Sequence, residues 1–481
     1  MYRSFYFSGA AMARASVLPT VLTGVFVTIL DFFIVNVAIP SLQQDLRAGP
    51  TAVEWVVAGY GLAYGAGLIL GGRLGDLYGR RRMFVVGLAL FTAASLACGL
   101  APDAGSLVTA RVAQGLAAAM LSPQVLAIIR TAYSGPAQAR AVGAYALTMG
   151  LAAVFGQLIG GALIRADLLG AGWRLCFLIN VPIGLLVVAR ARRVLPEGRG
   201  GTATRLDPAG TVLLTAALLA TLVPLIEGRE QGWPWWTWVS FAGSVLLFAG
   251  YAVRRHEAPV VDTALFRERA FTVGLSANLV FTMGMAAYFL VLALYTQQAR
   301  GLDALGAGLL FTPIGVGYLA ASQAAPRLAA RHGRQVVALG ALVRALALTG
   351  LLLAVTHEAP LGWLVPPLLA DGAGMGLALA PLMGTVLAGV SPRHAGAAAG
   401  VLTTAQQVGG ALGVGIVGVV FYGAADHGVA EAFRHSLVYL IAVAATLGGL
   451  VQLLPSARAV ARTAPGAPVP AAAAPQPAPE L

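Results

Sequence analysis

The sequence contains no lysine, only two cysteines and few charged residues of any kind. Charged residues make up 10% of the 481 positions and hydrophobic residues 58%, and the mean hydropathy is +0.80. A soluble domain of this length needs far more charge to cover its surface. The shortage of charge therefore excludes a soluble globular protein and predicts a chain that crosses a lipid bilayer repeatedly.

Cysteine, histidine and the common nucleotide motifs give no sign of catalysis. Cys98 and Cys176 both fall in or near apolar runs, which argues against a disulfide framework. The six histidines lie in or beside loops without the spacing of metal ligands. A GxGxxG match at 413–418 lies inside an apolar run instead of following a strand, and there is no Walker A or GxSxG motif. We therefore expect neither an enzyme nor a metal, a cofactor or ATP.

Apolar runs long enough to cross a membrane recur from one end of the chain to the other. A membrane-spanning helix needs about 20 apolar residues. The sequence therefore predicts an all-α membrane protein with fourteen spans, which we number in chain order. These spans cover residues 18–40, 52–72, 83–101, 106–129, 141–164, 174–194, 208–226, 235–253, 272–298, 305–325, 335–356, 361–390, 397–422 and 435–454.

The net charge of +12 is explained by membrane topology. With a cytoplasmic N-terminus, 23 of the 31 arginines lie on the inner side, 6 on the outer side, and Arg111 and Arg344 within spans. Basic residues stay in the cytoplasm during membrane insertion. The asymmetry predicts an even number of spans and both termini in the cytoplasm, and it removes any need for a nucleic-acid partner. Basicity from arginine alone, with abundant Ala, Gly and Pro, suggests a GC-rich bacterium and hence its inner membrane.

An internal repeat divides the chain. GGRLGDLYGR (71–80) aligns without gaps to APRLAARHGR (325–334), and both segments open an inner loop. The offset equals eight spans, which predicts two six-helix bundles with spans 7 and 8 inserted between them. Parallel repeats of this kind are the plan of a rocking transporter with its site near the bilayer midplane. The predicted divisions are an N-terminal segment (1–17), a first bundle (18–194), the inserted pair (208–253), a second bundle (272–454) and a disordered Ala/Pro-rich tail (455–481).

Five segments in the first bundle carry a family resemblance. They are LDFFIVNVAIPSLQQDL (30–46), GGRLGDLYGRRR (71–82), RVAQGLAAAMLSP (111–123), GQLIGG (156–161) and WRLCFLINVPIG (173–184). With these segments the sequence resembles the fourteen-helix drug:proton antiporter branch of the major facilitator superfamily. The resemblance implies the major-facilitator fold in a monomer that uses protons to export small hydrophobic or amphipathic compounds such as drugs and antibiotics.

Four ionisable residues lie well inside the predicted spans: Asp31, Arg111, Arg344 and Asp371. Each costs about 2.5–3.5 kcal/mol at the centre of a span, so such residues usually face a partner or a wet cavity. Asp31 and Arg111 can meet if spans 1 and 4 are neighbours, as the resemblance implies. We expect Asp31 to exchange the coupled proton and Arg111 to adjust the pKa of Asp31. The alternative is a static ion pair.

Asp371 has three possible roles. The repeat places it where Gln114 stands in the first bundle, on a helix expected to line the cavity. It could be a second proton site or a point of attraction for a cationic substrate. The alternative is a pair with Arg344, which lies at a similar depth.

Two glycine-containing segments predict conformational roles. In the 71–82 loop, Gly72 and Gly79 permit a tight turn. Asp76 can cap a helix end, or pair with an arginine of the same loop, such as Arg80, or of another helix, as a latch that holds one arrangement of the bundles; the alternative is a topology signal alone. Span 5 carries small residues suited to close helix packing. The resemblance identifies this stretch with the antiporter motif, although Gln157 and Ala152 stand where the motif has Pro and Gly. These small residues are Gly143, Gly156, Gly160 and Gly161.

A mixture of aromatic and amide side chains is expected to contact the substrate, because it suits bulky amphipathic ligands. Two other functions remain open: a proton symporter that imports a small polar metabolite, and a membrane receptor or scaffold that transports nothing. The candidate substrate contacts are Phe32, Asn36, Gln114, Tyr288, Tyr295 and Gln407.

Overall fold

The computed structural model describes residues 2–197, 207–254, 265–266, 268–388 and 395–454. Within these ranges all regular structure is helical. Thirteen helices are long and apolar enough to cross a membrane, and a helix that bends by 47° between Leu68 and Leu70 makes the fourteenth. The all-α class and the count of fourteen are therefore confirmed. The predicted tail at 455–481 lies outside the described residues.

Each predicted span corresponds to a helix or to two helices in series. Span 1 is the membrane-length part of a helix that begins at Tyr2. Span 6 includes the helices Leu175–Leu178 and Asn180–Val194, and span 9 ends in a π-helical turn, Tyr295–Ala299. The spans are Ser16–Leu46, Pro50–Tyr78, Arg80–Gly99, Ala104–Ala132, Gly135–Ala166, Gly172–Val194, Pro208–Glu227, Trp235–Val253, Arg269–Ala299, Ala304–His332, Gln335–Thr356, Val365–Ala388, Ala395–Gly423 and Val429–Gln452.

Short polar side chains begin several of these helices. The Asp103 carboxylate accepts a hydrogen bond from the Ser106 backbone N–H (2.9 Å), which starts span 4 with a capping box. Asp207 and Asp303 cap spans 7 and 10 in the same way. Spans 2 and 3 are separated by Gly79 alone, whose φ of 96° favours glycine. The sequence thus sets these helix ends locally.

The packing of the first bundle recurs eight spans later. Spans 2 and 4, 3 and 4, 1 and 5, and 3 and 6 form the main pairs of the first bundle. The corresponding pairs 10 and 12, 11 and 12, 9 and 13, and 11 and 14 form those of the second. The same offset was read from the 71–80 and 325–334 segments, so the repeat in the sequence is a repeat in the fold.

The two bundles meet through their outer halves, where "inner" denotes the side on which span 1 begins and span 14 ends. Glycine permits backbone contact here: a Cβ at Gly161 would lie 2.3 Å from the Ala304 carbonyl oxygen, and one at Gly308 would lie 2.6 Å from that of Gln157. Spans 2 and 13 meet from mid-depth outward. Many residues in the inner halves of spans 5 and 10 are exposed instead. The molecule is therefore closed on the outer side and open on the inner side.

Spans 7 and 8 form a hairpin at the side of the two bundles. Span 7 packs on spans 2 and 13, and a Cβ at Gly415 in span 13 would lie 2.8 Å from the Leu225 side chain. Span 8 exposes large apolar side chains such as Trp238, Leu246 and Val253. Such a surface is suited to lipid. The hairpin thus touches both bundles while its far side faces the bilayer.

Replacing Gly161 by valine should open the outer side. The new side chain meets the backbone of Ala304, so spans 5 and 10 cannot approach. Spin labels on cysteines at the exposed positions Gln44 and His427, one on each bundle, report the outer separation by double electron–electron resonance. We expect the ratio of open to closed molecules to rise about tenfold or more, which corresponds to about 1.4 kcal/mol.

The matched control is Gly143→Val in the same span. A Cβ at Gly143 would meet nothing within 4 Å, so the outer separation should not change. Equal distance distributions for the two variants would contradict the proposed importance of the Gly161 contact.

Candidate functional site

A buried ion pair joins spans 1 and 4. The Asp31 carboxylate and the Arg111 guanidinium lie 2.5 Å apart, and both side chains are 0% exposed. The structure thus brings together the two charged residues that the sequence singled out in the first bundle. In this inward-open state Asp31 faces a partner and not a wet cavity, which are the two settings that the sequence allows for such a residue.

Two amides and a hydroxyl complete the surroundings of the carboxylate. The side-chain amides of Gln114 and Asn180 both donate to Asp31 Oδ1, at 2.9 Å and 2.7 Å. Ser95 Oγ accepts from the same two amides, at 2.6 Å and 3.3 Å. Spans 1, 3, 4 and 6 therefore converge on one carboxyl group. Both of its oxygens are hydrogen-bonded, which a buried charge requires.

Arg111 has partners besides Asp31. Its Nε donates to the Val56 carbonyl oxygen (3.0 Å) and its Nη1 to Gln114 Oε1 (2.7 Å). Its guanidinium carbon lies 4.3 Å from the ring centre of Tyr60, a cation–π distance. The cation would therefore keep several partners if Asp31 became neutral.

Sequence reasoning missed Ser95, Asn180 and Tyr60. Asn180 was within reach, because it interrupts the apolar run of span 6 with an amide that must find a partner in the membrane. Ser95 and Tyr60 are too common in spans to stand out. Their importance comes from helix packing alone.

A second buried pair lies in the second bundle. Arg344 Nε donates to Asp371 Oδ1 at 2.9 Å, with the side chains 3% and 1% exposed. Asp371 Oδ2 and the buried hydroxyl of Tyr288 find no hydrogen-bond partner in the described part of the chain. The pairing that the sequence left as an alternative for Asp371 is thus present. It does not by itself decide among the roles considered for Asp371.

The expected substrate contacts do not form one surface. Phe32 and Gln407 lie together where the bundles meet: a Cβ at Gly61 would be 3.8 Å from the Phe32 ring and 3.6 Å from the Gln407 carbonyl oxygen. Gln114 is occupied by Asp31 and Arg111 instead.

Asn36 and Tyr295 are also placed away from an open cavity. Asn36 is buried and donates to the Phe33 carbonyl oxygen (3.1 Å). Tyr295 stacks on Phe433 with ring centres 4.3 Å apart, and its hydroxyl accepts from Arg300 (3.2 Å). Because Tyr295 is 2% exposed, the expectation that it lines the cavity does not hold in this state.

Asp76 and Arg80 form an ion pair across the junction of spans 2 and 3, where the segment expected as a loop is helical except at Gly79. Arg80 Nη2 and Asp76 Oδ1 lie 3.3 Å apart, and the Asp76 side chain is 44% exposed. Arg80 Nη1 also donates to the Ala127 carbonyl oxygen of span 4 (3.4 Å). A Cβ at Gly72 would meet only ordinary contact with Pro123. The pair therefore ties the junction of spans 2 and 3 to span 4 of the same bundle.

The glycines of span 5 divide into two groups. A Cβ at Gly156 or Gly160 would press on span 1, at 3.0 Å from Phe33 and 2.6 Å from Ile34, whereas Gly161 faces span 10. At Gly143 the close packing expected from the sequence is absent, because an added Cβ would meet nothing there. The glycines nearer the outer end thus serve both the first bundle and its contact with the second.

The sequence also agrees with a family model over most of its length. Residues 21–414 match the model described as Major Facilitator Superfamily. The chain belongs to the major facilitator superfamily. As a member of this superfamily, it is a multi-pass membrane transporter and not an enzyme, as its sequence indicated.

Relatives of this chain include another transporter and a resistance protein. It is 37% identical to a probable actinorhodin transporter of Streptomyces coelicolor, over 85% of this chain and 73% of that one. It is 36% identical to the puromycin resistance protein pur8 of Streptomyces alboniger, over 90% and 88%. These similarities support an efflux transporter. A bacterial homologue of the human lysosomal transporter Spinster has the same fold, with a TM-score of 0.68 at 17% identity over 92% and 98% of the chains.

Replacing Arg111 by methionine should destabilise the transporter strongly. The change leaves the Asp31 charge buried without its cation, which costs about 3–5 kcal/mol in comparable pairs. Thermal unfolding in detergent should show a large fall in the midpoint temperature. The double variant Asp31→Asn, Arg111→Met should recover most of this loss, because no charge then remains buried. A double variant as unstable as Arg111→Met alone would contradict this account of the pair.

Proposed function

We propose that this protein is a proton-coupled antiporter that exports small hydrophobic or amphipathic compounds of the drug and antibiotic type. The observation that carries the proposal is the carboxylate of Asp31, fully buried in a transporter whose relatives include a puromycin resistance protein. A charged group at this depth is costly and usually marks an ion or substrate path.

The surroundings of Asp31 are suited to reversible proton binding. Burial favours the neutral acid, whereas Arg111 at 2.5 Å and the amides of Gln114 and Asn180 favour the carboxylate. Because Arg111 also holds Val56 and Gln114, proton binding would not leave the cation without partners. Asp31 can therefore gain or lose its proton without the collapse of the network, provided that another state of the cycle admits water.

The proton gradient can supply enough energy for such a cycle. One charge moving through 100 mV yields about 2.3 kcal/mol. At about 1.4 kcal/mol per tenfold change, this sustains a roughly fifty-fold substrate gradient for each proton. The proposed direction is proton entry from the outside and substrate exit from the cytoplasm.

Orientation and assembly form part of the proposal. We assign the inner side to the bacterial cytoplasm, with both termini there, on the distribution of arginines. The inward-open state then presents its opening to cytoplasmic substrate. Phe32 and Gln407, at the meeting of the bundles, are the proposed first contacts of the substrate, and a single chain is proposed to suffice for transport. The proposed conformational latch is Gly72, Asp76, Gly79 and Arg80.

Asp31→Asn should abolish proton-driven export while the protein still reaches the membrane. Asparagine preserves size and hydrogen bonding but cannot exchange a proton. In inside-out vesicles carrying the protein, substrate uptake driven by an imposed pH gradient should fall to the level of empty vesicles. Asp303→Asn, at an exposed helix cap, is the matched control and should retain uptake. Undiminished uptake by Asp31→Asn would refute the coupling, and uptake only in right-side-out vesicles would favour an importing symporter.

Asp371 is proposed as a second proton site, with Arg344 in the place that Arg111 takes beside Asp31. The support is the recurrence of a buried carboxylate–guanidinium pair in each bundle. Asp371→Asn should then lower the number of protons released per substrate while export continues. Simultaneous measurement of substrate uptake and pH in proteoliposomes gives this ratio. An unchanged ratio would show that Asp371 binds no transported proton and serves only as the ion-pair partner of Arg344.

A further inference from the structure

Another buried carboxylate lies where the two bundles and the inserted hairpin meet. Glu54, near the outer end of span 2, is 0% exposed. Its Oε1 lies 3.2 Å from Arg229 Nη2, in the loop that joins spans 7 and 8. Its Oε2 is buried and finds no hydrogen-bond partner among the residues that the structure describes. Glu54 does not stand out in the sequence, because it lies close to the end of a predicted span.

Span 13 closes over this carboxylate. A Cβ at Gly418 would lie 2.3 Å from Glu54 Oε1, so the carboxylate rests against a helix of the opposite bundle. The Arg229 guanidinium carbon lies 4.8 Å from the ring centre of Tyr422, also in span 13. Glu54 is therefore sealed only while the outer ends of spans 2 and 13 stay together.

The loop of the hairpin holds span 2 through further polar contacts. The Trp55 indole N–H donates to Glu227 Oε1 (2.8 Å), and the Thr51 backbone N–H donates to Glu230 Oε1 (3.2 Å). Arg229 also lies 4.0 Å from Glu230. The hairpin is thus hydrogen-bonded to span 2 of the first bundle, while Arg229 contacts Tyr422 of the second bundle.

The charges that face Glu54 offset its ionised form only in part. Arg229 is the neighbouring cation; it donates to Glu54 Oε1, and its side chain is 17% exposed. Glu227, the last residue of span 7, and Glu230 in the following loop have the opposite effect, and Tyr422 contributes a neutral ring. Burying an ionised carboxylate with one unpaired oxygen is costly, whereas a neutral carboxyl is buried more cheaply. Closure over Glu54 is therefore easier after proton binding.

We propose that Glu54 is a proton-binding site on the outer side, and that its protonation promotes closure of spans 2 and 13 under the hairpin of spans 7 and 8. In the open state the carboxylate meets outside water and accepts a proton. The neutral side chain then permits span 13 to pack over it, with Arg229 and Tyr422 completing the contact. This inference rests on the proposed function for its place in a transport cycle, since an antiporter must close its outer side after proton uptake. It gives the inserted hairpin a role in that step.

The test measures conformation instead of transport, so that its failure and the failure of the proposed coupling are distinguishable. Spin labels at Gln44→Cys and His427→Cys report the outer separation in proteoliposomes at about pH 8 and about pH 5. All proteins carry Asp31→Asn, which removes the proton site of the first bundle from the measurement. With Glu54 intact, the closed fraction should rise several-fold at the lower pH.

Glu54→Gln separates proton binding from a static ionic contact. Glutamine resembles the neutral carboxyl, so this variant should be closed at both pH values, with less than a twofold difference between them. If Glu54→Gln is instead open at both pH values, the ionised Glu54–Arg229 pair itself holds the closed state, and the proposal is overturned. A pH response that survives in Glu54→Gln also overturns it, because another group must then titrate. Glu230→Gln, whose side chain is 43% exposed, is the matched control and should keep the response.

Discussion

The buried charge of Asp31 is the constraint on which the first bundle depends. A carboxylate inside the bilayer is tolerated only with a cation and hydrogen-bond donors around it. Arg111 and Gln114 of span 4 and Asn180 of span 6 meet this need. Ser95 of span 3 accepts a hydrogen bond from each of the two amides. The network therefore fixes the relative positions of four helices, and any movement of span 1 disturbs its hydrogen bonds with the others.

Close backbone contacts determine how the two bundles meet. Between lipid-facing helices there is little hydrophobic driving force, so small residues that allow close approach matter most. Gly161 and Gly308 bring spans 5 and 10 into backbone contact on the outer side. When such a contact opens, no large interlocking side chains have to be pulled apart. This suits a surface that must open and close.

The inserted hairpin lies beside this moving surface and contacts both bundles. Span 7 packs on spans 2 and 13, and the loop after it places Arg229 between Glu54 and Tyr422. A hairpin that served only as a linker would not need to place an arginine against the buried carboxylate of Glu54. The second bundle carries its own buried pair, Arg344 and Asp371, so ionisable groups occur at mid-depth in both bundles and at the outer boundary between them.

The sequence by itself determined the membrane class, the fourteen spans and the eight-span repeat, because hydrophobic length and repeated motifs are properties of local sequence. It also identified Asp31 and Arg111, since isolated charges in apolar runs are conspicuous. Only the tertiary structure decided which polar residues gather around them, because Ser95 and Asn180 lie far from Asp31 in sequence and become neighbours through helix packing. Glu54 was missed for the same reason. Its carboxylate is covered by span 13 at Gly418, in the other bundle, and the sequence of span 2 does not indicate that contact.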